Sequence, residues 1–136
     1  MTPTDTGPLV ALADRSDPYH QAAKAAVATL PVGPLVTSWP CLTEAMYLLG
    51  RSAGIVGQNT LWAMVAVGRV QVRPPSPPET LRMAVLMRKY ADLPMDLADA
   101  SLVAAAEVTG DRRLFAFDGD YRIYRLADGS VLDLIP

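Results

Sequence analysis

Six carboxylates in this sequence sit where an acid is out of place or where the chain changes direction: Asp5, Glu44, Asp96, Asp99, Asp118 and Asp120. Glu44 is the most informative. Its neighbours are Cys41, Leu42, Ala45, Met46, Tyr47, Leu48 and Leu49, and no Lys or Arg lies within one helical turn. A carboxylate in so apolar a stretch is costly to bury without a partner. Either it reaches solvent or another group neutralises it. Asp96 and Asp99 are three residues apart and share one face of a helix. Asp118 and Asp120 follow directly on the apolar run Leu114 to Phe117, and Asp5 follows a very short candidate strand. Clustered carboxylates repel, and some stay protonated unless a counter-charge joins them. A divalent cation removes that conflict. Oxygen ligands without His or Cys suit Mg²⁺ or Mn²⁺. Such an ion keeps waters that can attack a phosphodiester, so the implied chemistry is metal-assisted hydrolysis without a covalent intermediate.

Each acid also has a local explanation. Asp96-Leu97-Ala98-Asp99 resembles a capping box, with Asp96 as N-cap and Asp99 favoured by the helix dipole. Asp118-Gly119-Asp120 is a turn sequence, and Asp5-Thr6-Gly7-Pro8 reads as a cap and turn. Glu44 is also compatible with a solvated helix position. The joint pattern carries more weight than its parts, because independent caps need not share one end of a sheet.

The elements that must position these acids alternate between helix and strand. A short helix is expected over Pro8 to Asp14. Asp17-Pro18 starts the next, with His20 to Leu30 following. Leu35 to Ser38 reads as a short buried strand. Trp39-Pro40 opens a helix to about Leu49, Gly50 to Gly54 breaks it, and Ile55 to Val67 makes another. Val70 to Val72 is a strand, and Pro74 to Pro78 a rigid connector. Glu79 to Tyr90 and Asp96 to Thr109 are helices, the second closed by Gly110. Leu114 to Phe117 and Val131 to Ile135 are strands, the last at an edge. This predicts one compact α/β domain over residues 1–136. Its sheet is expected to be mostly parallel, with four to five strands flanked by helices. In such sheets the functional crevice lies beyond the C-terminal strand ends, where four separate segments bring the acids.

Composition sets the outer limits. The 136 residues are 51% apolar and 19% charged, which excludes a disordered chain. A net charge of −2 excludes a uniformly basic nucleic-acid binder, though not nucleic acid as a substrate. Of the 14 acids only Glu44, Glu79 and Glu107 are not Asp. Asp is the poorer helix former, so an Asp excess suggests geometric rather than solubilising roles. One Cys and one His cannot make a disulfide or a Cys/His zinc cluster, which fits a reducing cytoplasm. Cys41 is expected to be a small core residue and His20 a surface or packing residue. The uncharged stretches Ala25 to Thr43 and Ser52 to Gly68 are interrupted by Pro, Gly or polar residues, so no membrane span is expected.

With these residues assembled, the chain resembles a PIN domain, and within that family the VapC-type toxin ribonucleases. The resemblance runs in order over nearly the whole length. Asp5-Thr6-Gly7-Pro8-Leu9-Val10-Ala11-Leu12 is similar to the family's opening motif. Thr43-Glu44-Ala45 is similar to its second acidic motif. Leu97-Ala98-Asp99-Ala100-Ser101-Leu102-Val103 resembles the third, with Asp99 the better match and Asp96 an accessory. Phe117-Asp118-Gly119-Asp120-Tyr121 resembles the fourth, an aromatic following the acids. Two departures stand out. The family's first strand is usually apolar, whereas here it is Thr2-Pro3-Thr4. The family often carries Thr or Ser two residues before the fourth acid, and here that position is Ala116.

The resemblance implies a metal site of Asp5, Glu44, Asp99 and Asp118, with Asp96 and Asp120 as further ligands, holding Mg²⁺ or Mn²⁺. It implies RNA as substrate, a homodimer, and a cognate antitoxin as partner. The sequence adds two modest supports. From Glu44 to Arg69 the only other charge is Arg51, so the two helices there carry more apolar surface than one core-facing stripe needs. Burial of both in the core would explain this equally well. Arginines such as Arg15, Arg51, Arg112, Arg113, Arg122 and Arg125 could rim the acids and hold phosphates, or simply be solvated. Competing readings are a catalytically degenerate PIN-like module that binds RNA or a protein, and a receiver-like domain with a phosphorylated Asp. The second lacks the Lys that such sites need after the last buried strands.

Overall fold

The computed structural model describes all residues 1–136. The elements run β1 (Thr2–Pro3), α1 (Thr6–Ala13), α2 (His20–Thr29), β2 (Leu35–Ser38), α3 (Trp39–Ser52), α4 (Gly54–Ala66) and β3 (Val70–Arg73). They continue through α5 (Pro77–Lys89), α6 (Leu97–Thr109), β4 (Arg113–Phe115), a 3-10 helix (Gly119–Arg122) and β5 (Asp133–Ile135). All strand pairing is parallel. No helix is long and apolar enough to cross a membrane.

The single sheet of four to five strands expected from the sequence is not formed. There is a three-stranded sheet, ordered β1-β2-β3, and a two-stranded sheet of β4 and β5. They meet only at an isolated bridge between Thr4 and Phe115. Pro3 supplies the physical reason. Thr2 and Thr4 donate their N–H groups to β2, at the carbonyls of Pro34 and Val36. Alternate residues face β4, where Asp5 donates to the Phe115 carbonyl at 2.9 Å. Pro3 also faces β4 but has no N–H to give, so the ladder cannot extend beyond one bridge. The polar strand is nevertheless satisfied. The Thr4 hydroxyl donates to the Thr2 carbonyl, and the Thr37 hydroxyl donates to the Thr4 carbonyl.

Helix boundaries follow from capping. Ser38 ends β2 and caps α3 by accepting from the Cys41 N–H, with Pro40 in the first turn. Ser76 and Glu79 form a capping box, so α5 starts at Pro77 rather than Glu79 and absorbs the end of the Pro-rich connector. The first long helix starts at His20, because Asp17 caps a preceding turn by accepting from the Tyr19 N–H. Gly50 does not stop α3, which runs on to Ser52. The break falls at Gly54, whose φ of +64° suits glycine.

The strands separate two cores. Helices α1 to α4 pack on one side and α5, α6 and the C-terminal segment on the other. Neighbouring residues of β4 serve both: Leu114 faces the α5–α6 side and Phe115 the α1–α4 side. Phe115 is fully buried, edge-on to Phe117 at 5.7 Å. Phe115→Ala is expected to cost about 3–5 kcal/mol in urea unfolding. A loss below about 1 kcal/mol would mean that this side of the core collapses around the change.

Candidate active site

Asp5 emerges from the C-terminal end of β1 and is 7% exposed. Asp99 lies in the first turn of α6 and is half-buried. They belong to opposite ends of the chain, yet one side chain joins them. The Tyr121 hydroxyl lies 2.9 Å from Asp5 Oδ1 and 2.9 Å from Asp99 Oδ1. The Tyr124 hydroxyl donates to Asp99 Oδ2 at 2.6 Å. Cys41, fully buried at the start of α3, places its Sγ 3.9 Å from Asp5 Oδ1. The Ser38 and Ser101 hydroxyls meet at 2.6 Å and tie the end of β2 to α6.

Glu44 is half-buried in the second turn of α3 and accepts from the Thr6 hydroxyl at 3.0 Å. This answers how a lone acid is tolerated in that helix: the residue after Asp5 satisfies it. Asp118 is exposed but close enough for its charge to act on Asp5. Asp96 and Asp120 are exposed at the rim, where their charges act on Asp99 and Tyr124 respectively. Their neighbours also show the expected local chemistry. Asp96 caps α6 by accepting from the Asp99 N–H at 2.8 Å, and Asp118 accepts from the Asp120 N–H at 2.9 Å.

No Arg or Lys forms an ion pair with any of these six acids. The consequence is electrostatic. Burial raises Asp5 to about 6, against the opposing pull of the Thr6 N–H and the Tyr121 hydroxyl, and Glu44 and Asp118 push it further up. Burial likewise raises Asp99 to about 7, opposed by the two tyrosines and reinforced by Asp96 and Asp5. The Cys41 thiol is pushed up to about 12 by burial and by Asp5, so it stays protonated. The Tyr121 hydroxyl has one proton for two carboxylate oxygens. Both short contacts are hydrogen bonds only when one of the acids is itself protonated. No three of the carboxylates stand close enough to share one ion in this arrangement. The donor set nevertheless fits a hard divalent cation: acids only, buried in part, and without a protein counter-charge.

The arginines divide. Arg112 and Arg113 lie at the far end of β4, paired with Asp133 and Asp111. Arg51 stacks over Tyr47, its guanidinium 5.8 Å from the ring centre. Arg15 lines a cavity of about 920 Å³ with His20 and Lys24, beside the start of β2. Only Arg122 and Arg125 belong to the segment carrying Asp118 and Tyr121. Arg125 is committed to the carbonyls of Arg122, Ile123 and Tyr124. His20 has a packing role, with Nδ1 2.7 Å from the Ala11 carbonyl.

Sequence reasoning missed Thr6, Tyr121 and Tyr124 as polar participants. The aromatic after the fourth acidic motif was visible. Nothing in the sequence distinguishes a tyrosine that packs from one whose hydroxyl holds a carboxylate.

The order of helices and parallel strands is shared with solved structures. VapC20 of Mycobacterium tuberculosis, described as a sarcin-ricin loop cleaving toxin, superposes with a TM-score of 0.79 over 98% of both chains at 22% identity. This chain has the VapC, or PIN-domain, fold. The VapBC2 complex of Rickettsia felis, bound to a DNA fragment from its promoter, matches over 98% of both chains (TM-score 0.64, 12% identity). A toxin–antitoxin complex from Klebsiella pneumoniae matches over 87% of both (TM-score 0.62, 20% identity). At these identities the likeness is one of fold. No family model and no curated protein matches the sequence. In this fold the end of β1 and the start of α6 lie together, which is where Asp5 and Asp99 meet through Tyr121.

Proposed function

We propose that this chain is a divalent-cation-dependent endoribonuclease and the toxin of a type II toxin–antitoxin pair, working in the cytoplasm. The observation that carries the reading is the meeting of buried Asp5 and half-buried Asp99 without a basic residue. Two such acids resist joint ionisation, and a cation relieves them. Asp5, Glu44, Asp99 and Asp118 would hold Mg²⁺ or Mn²⁺, with Asp96 and Asp120 at the rim. The ion, when bound, supplies Lewis-acid polarisation and an activated water. Asp5 and Asp99 provide the fixed negative charge. Glu44, held by Thr6 and partly open to solvent, can orient the attacking water and take up its proton. Asp96, Asp118 and Asp120 lie on open surface, which admits a polymer. Arg122 is exposed on the same segment and is free to meet a phosphate. RNA as substrate is supported by the sarcin-ricin loop cleavage ascribed to the structurally similar VapC20, and an antitoxin partner by the similar toxin–antitoxin complexes. Single-stranded RNA incubated with Mg²⁺, with and without EDTA, tests the reading. Cleavage that ignores chelation would overturn it.

A second reading, the catalytically degenerate module, is favoured by the absence of three carboxylates within reach of one ion and by Ala116, which has no hydroxyl to offer. Calorimetric titration with Mn²⁺ separates the two, since the degenerate module takes up no ion.

A homodimer is part of the proposal. α4 buries only Gly57 and Leu61 and turns Ile55, Val56 and Trp62 outward, with Val67 following and Tyr47 of α3 beside them. An exposed apolar face of this kind fits a protein partner. Trp62→Asp is expected to leave the fold intact and to convert a dimer to monomer in sedimentation velocity. A dimer that persists unchanged places the interface elsewhere.

A further inference from the structure

Two tyrosine hydroxyls, and no cationic side chain, hold buried Asp5 and half-buried Asp99. Tyr121 reaches both Asp5 and Asp99, and Tyr124 reaches the second oxygen of Asp99, so both oxygens of that carboxylate are engaged. Both rings are fully buried and meet edge to face at 5.6 Å. The segment that carries them is itself fixed. The Arg125 guanidinium donates to three successive carbonyls, and the Arg125 N–H donates to the Tyr90 hydroxyl at 2.8 Å. The Tyr90 ring packs 5.1 Å from that of Tyr124. Phenylalanine would fill the same volume at 121 and 124, so packing does not explain the hydroxyls. A buried hydroxyl is unfavourable unless partnered, and here its partners are the acids.

We infer that Tyr121 and Tyr124 are positioning residues: their hydroxyls set the spacing and carboxylate planes of Asp5 and Asp99 for a divalent cation. The inference rests on the metal-site reading above. Groups that orient ligating carboxylates typically govern metal affinity by about 10–100-fold.

The test compares Tyr121→Phe, Tyr124→Phe and Tyr90→Phe in the full chain. The Tyr90 hydroxyl meets a backbone N–H rather than an acid, so its loss reports general loosening. Mn²⁺ affinity by calorimetry is expected to fall about ten-fold at 121 and 124 and to hold at 90. Ion-free melting temperatures are expected to fall by a few degrees at 121 and 124, where a carboxylate oxygen loses its donor, so affinity is compared at a temperature where every variant is folded. The carboxyl ¹³C resonance of Asp99 in the ion-free protein should move in the first two variants and not in the third. Equal Mn²⁺ affinity in all three variants and the parent overturns the positioning role alone. Equal loss in all three overturns it as mere loosening. If the parent takes up no Mn²⁺, the metal-site reading fails and the positioning role with it, even where the Asp99 resonance moves as expected.

Discussion

Asp5→Asn is expected to abolish RNA cleavage, by at least about 100-fold, while making the ion-free protein more stable. The two effects share one cause. Asp5 is 7% exposed, has no cationic partner and is raised to about 6. Near pH 7.5 it is ionised in both the folded and the unfolded chain, and the folded chain bears the desolvation. Raising a carboxyl from 3.8 to about 6 corresponds to about 3 kcal/mol. Asparagine removes the charge but keeps a carbonyl oxygen for Tyr121, so a gain of about 2 kcal/mol is expected in urea unfolding without divalent ions. The proposed activity needs that same negative charge, and removing a charge that acts on a transition state costs about 3 kcal/mol or more. Undiminished cleavage by Asp5→Asn would remove the acid from the chemistry. A loss of stability instead would mean that a counter-charge already compensates Asp5.

The second large effect is a stability profile that tilts with pH in the direction opposite to that of ordinary surface carboxylates. Asp5 and Asp99 are raised from 3.8 to about 6 and about 7. A raised folded-state value means that the folded chain holds its protons longer than the unfolded chain. Stability is therefore greatest where both acids are protonated, below about pH 4, as far as these two groups decide it. It falls as pH rises through about 6 and about 7, then levels. Divalent-cation binding runs the other way, because the ion competes with those protons. Mn²⁺ affinity is expected to rise steeply between about pH 5.5 and pH 7.5. Calorimetry across that range at constant ionic strength is the measurement. A flat profile would place the ion away from Asp5 and Asp99. Salt-bridged acids such as Glu79, lowered mainly by the two guanidinium bonds of Arg73, contribute with the opposite sign and lose their stabilisation only in acid.

Much of the fold was legible because it rests on local chemistry. Asp96 is a capping residue by type and caps the helix expected to follow it, while Ser38 and Ser76, read as strand and connector, turn out to cap theirs as well. Short apolar runs such as Leu35 to Ser38 lie between helices and pair in parallel. Sheet continuity was not legible. It depends on which neighbour each N–H of β1 faces, and at Pro3 that neighbour is β4. Residue type shows that proline cannot donate, but only the register shows which ladder it interrupts. The α4 face was ambiguous for a similar reason. An uncharged, largely apolar helix reads the same whether buried or not, and the structure leaves Val56 and Trp62 exposed.

The sequence alone supplied the candidates for chemistry: a set of acids without His or Cys partners, most of them placed where strands end or helices begin. Those properties belong to residue types and to positions close together along the chain. Tertiary structure decided how the acids are joined. Asp5, Asp99 and Tyr121 meet only because β1, α6 and the segment after β4 pack against one another. Local periodicity carries no record of a hydroxyl held between two carboxylates from opposite ends of the chain. Burial without a counter-charge is what raises the two acids, against the opposing pull of the Tyr121 hydroxyl.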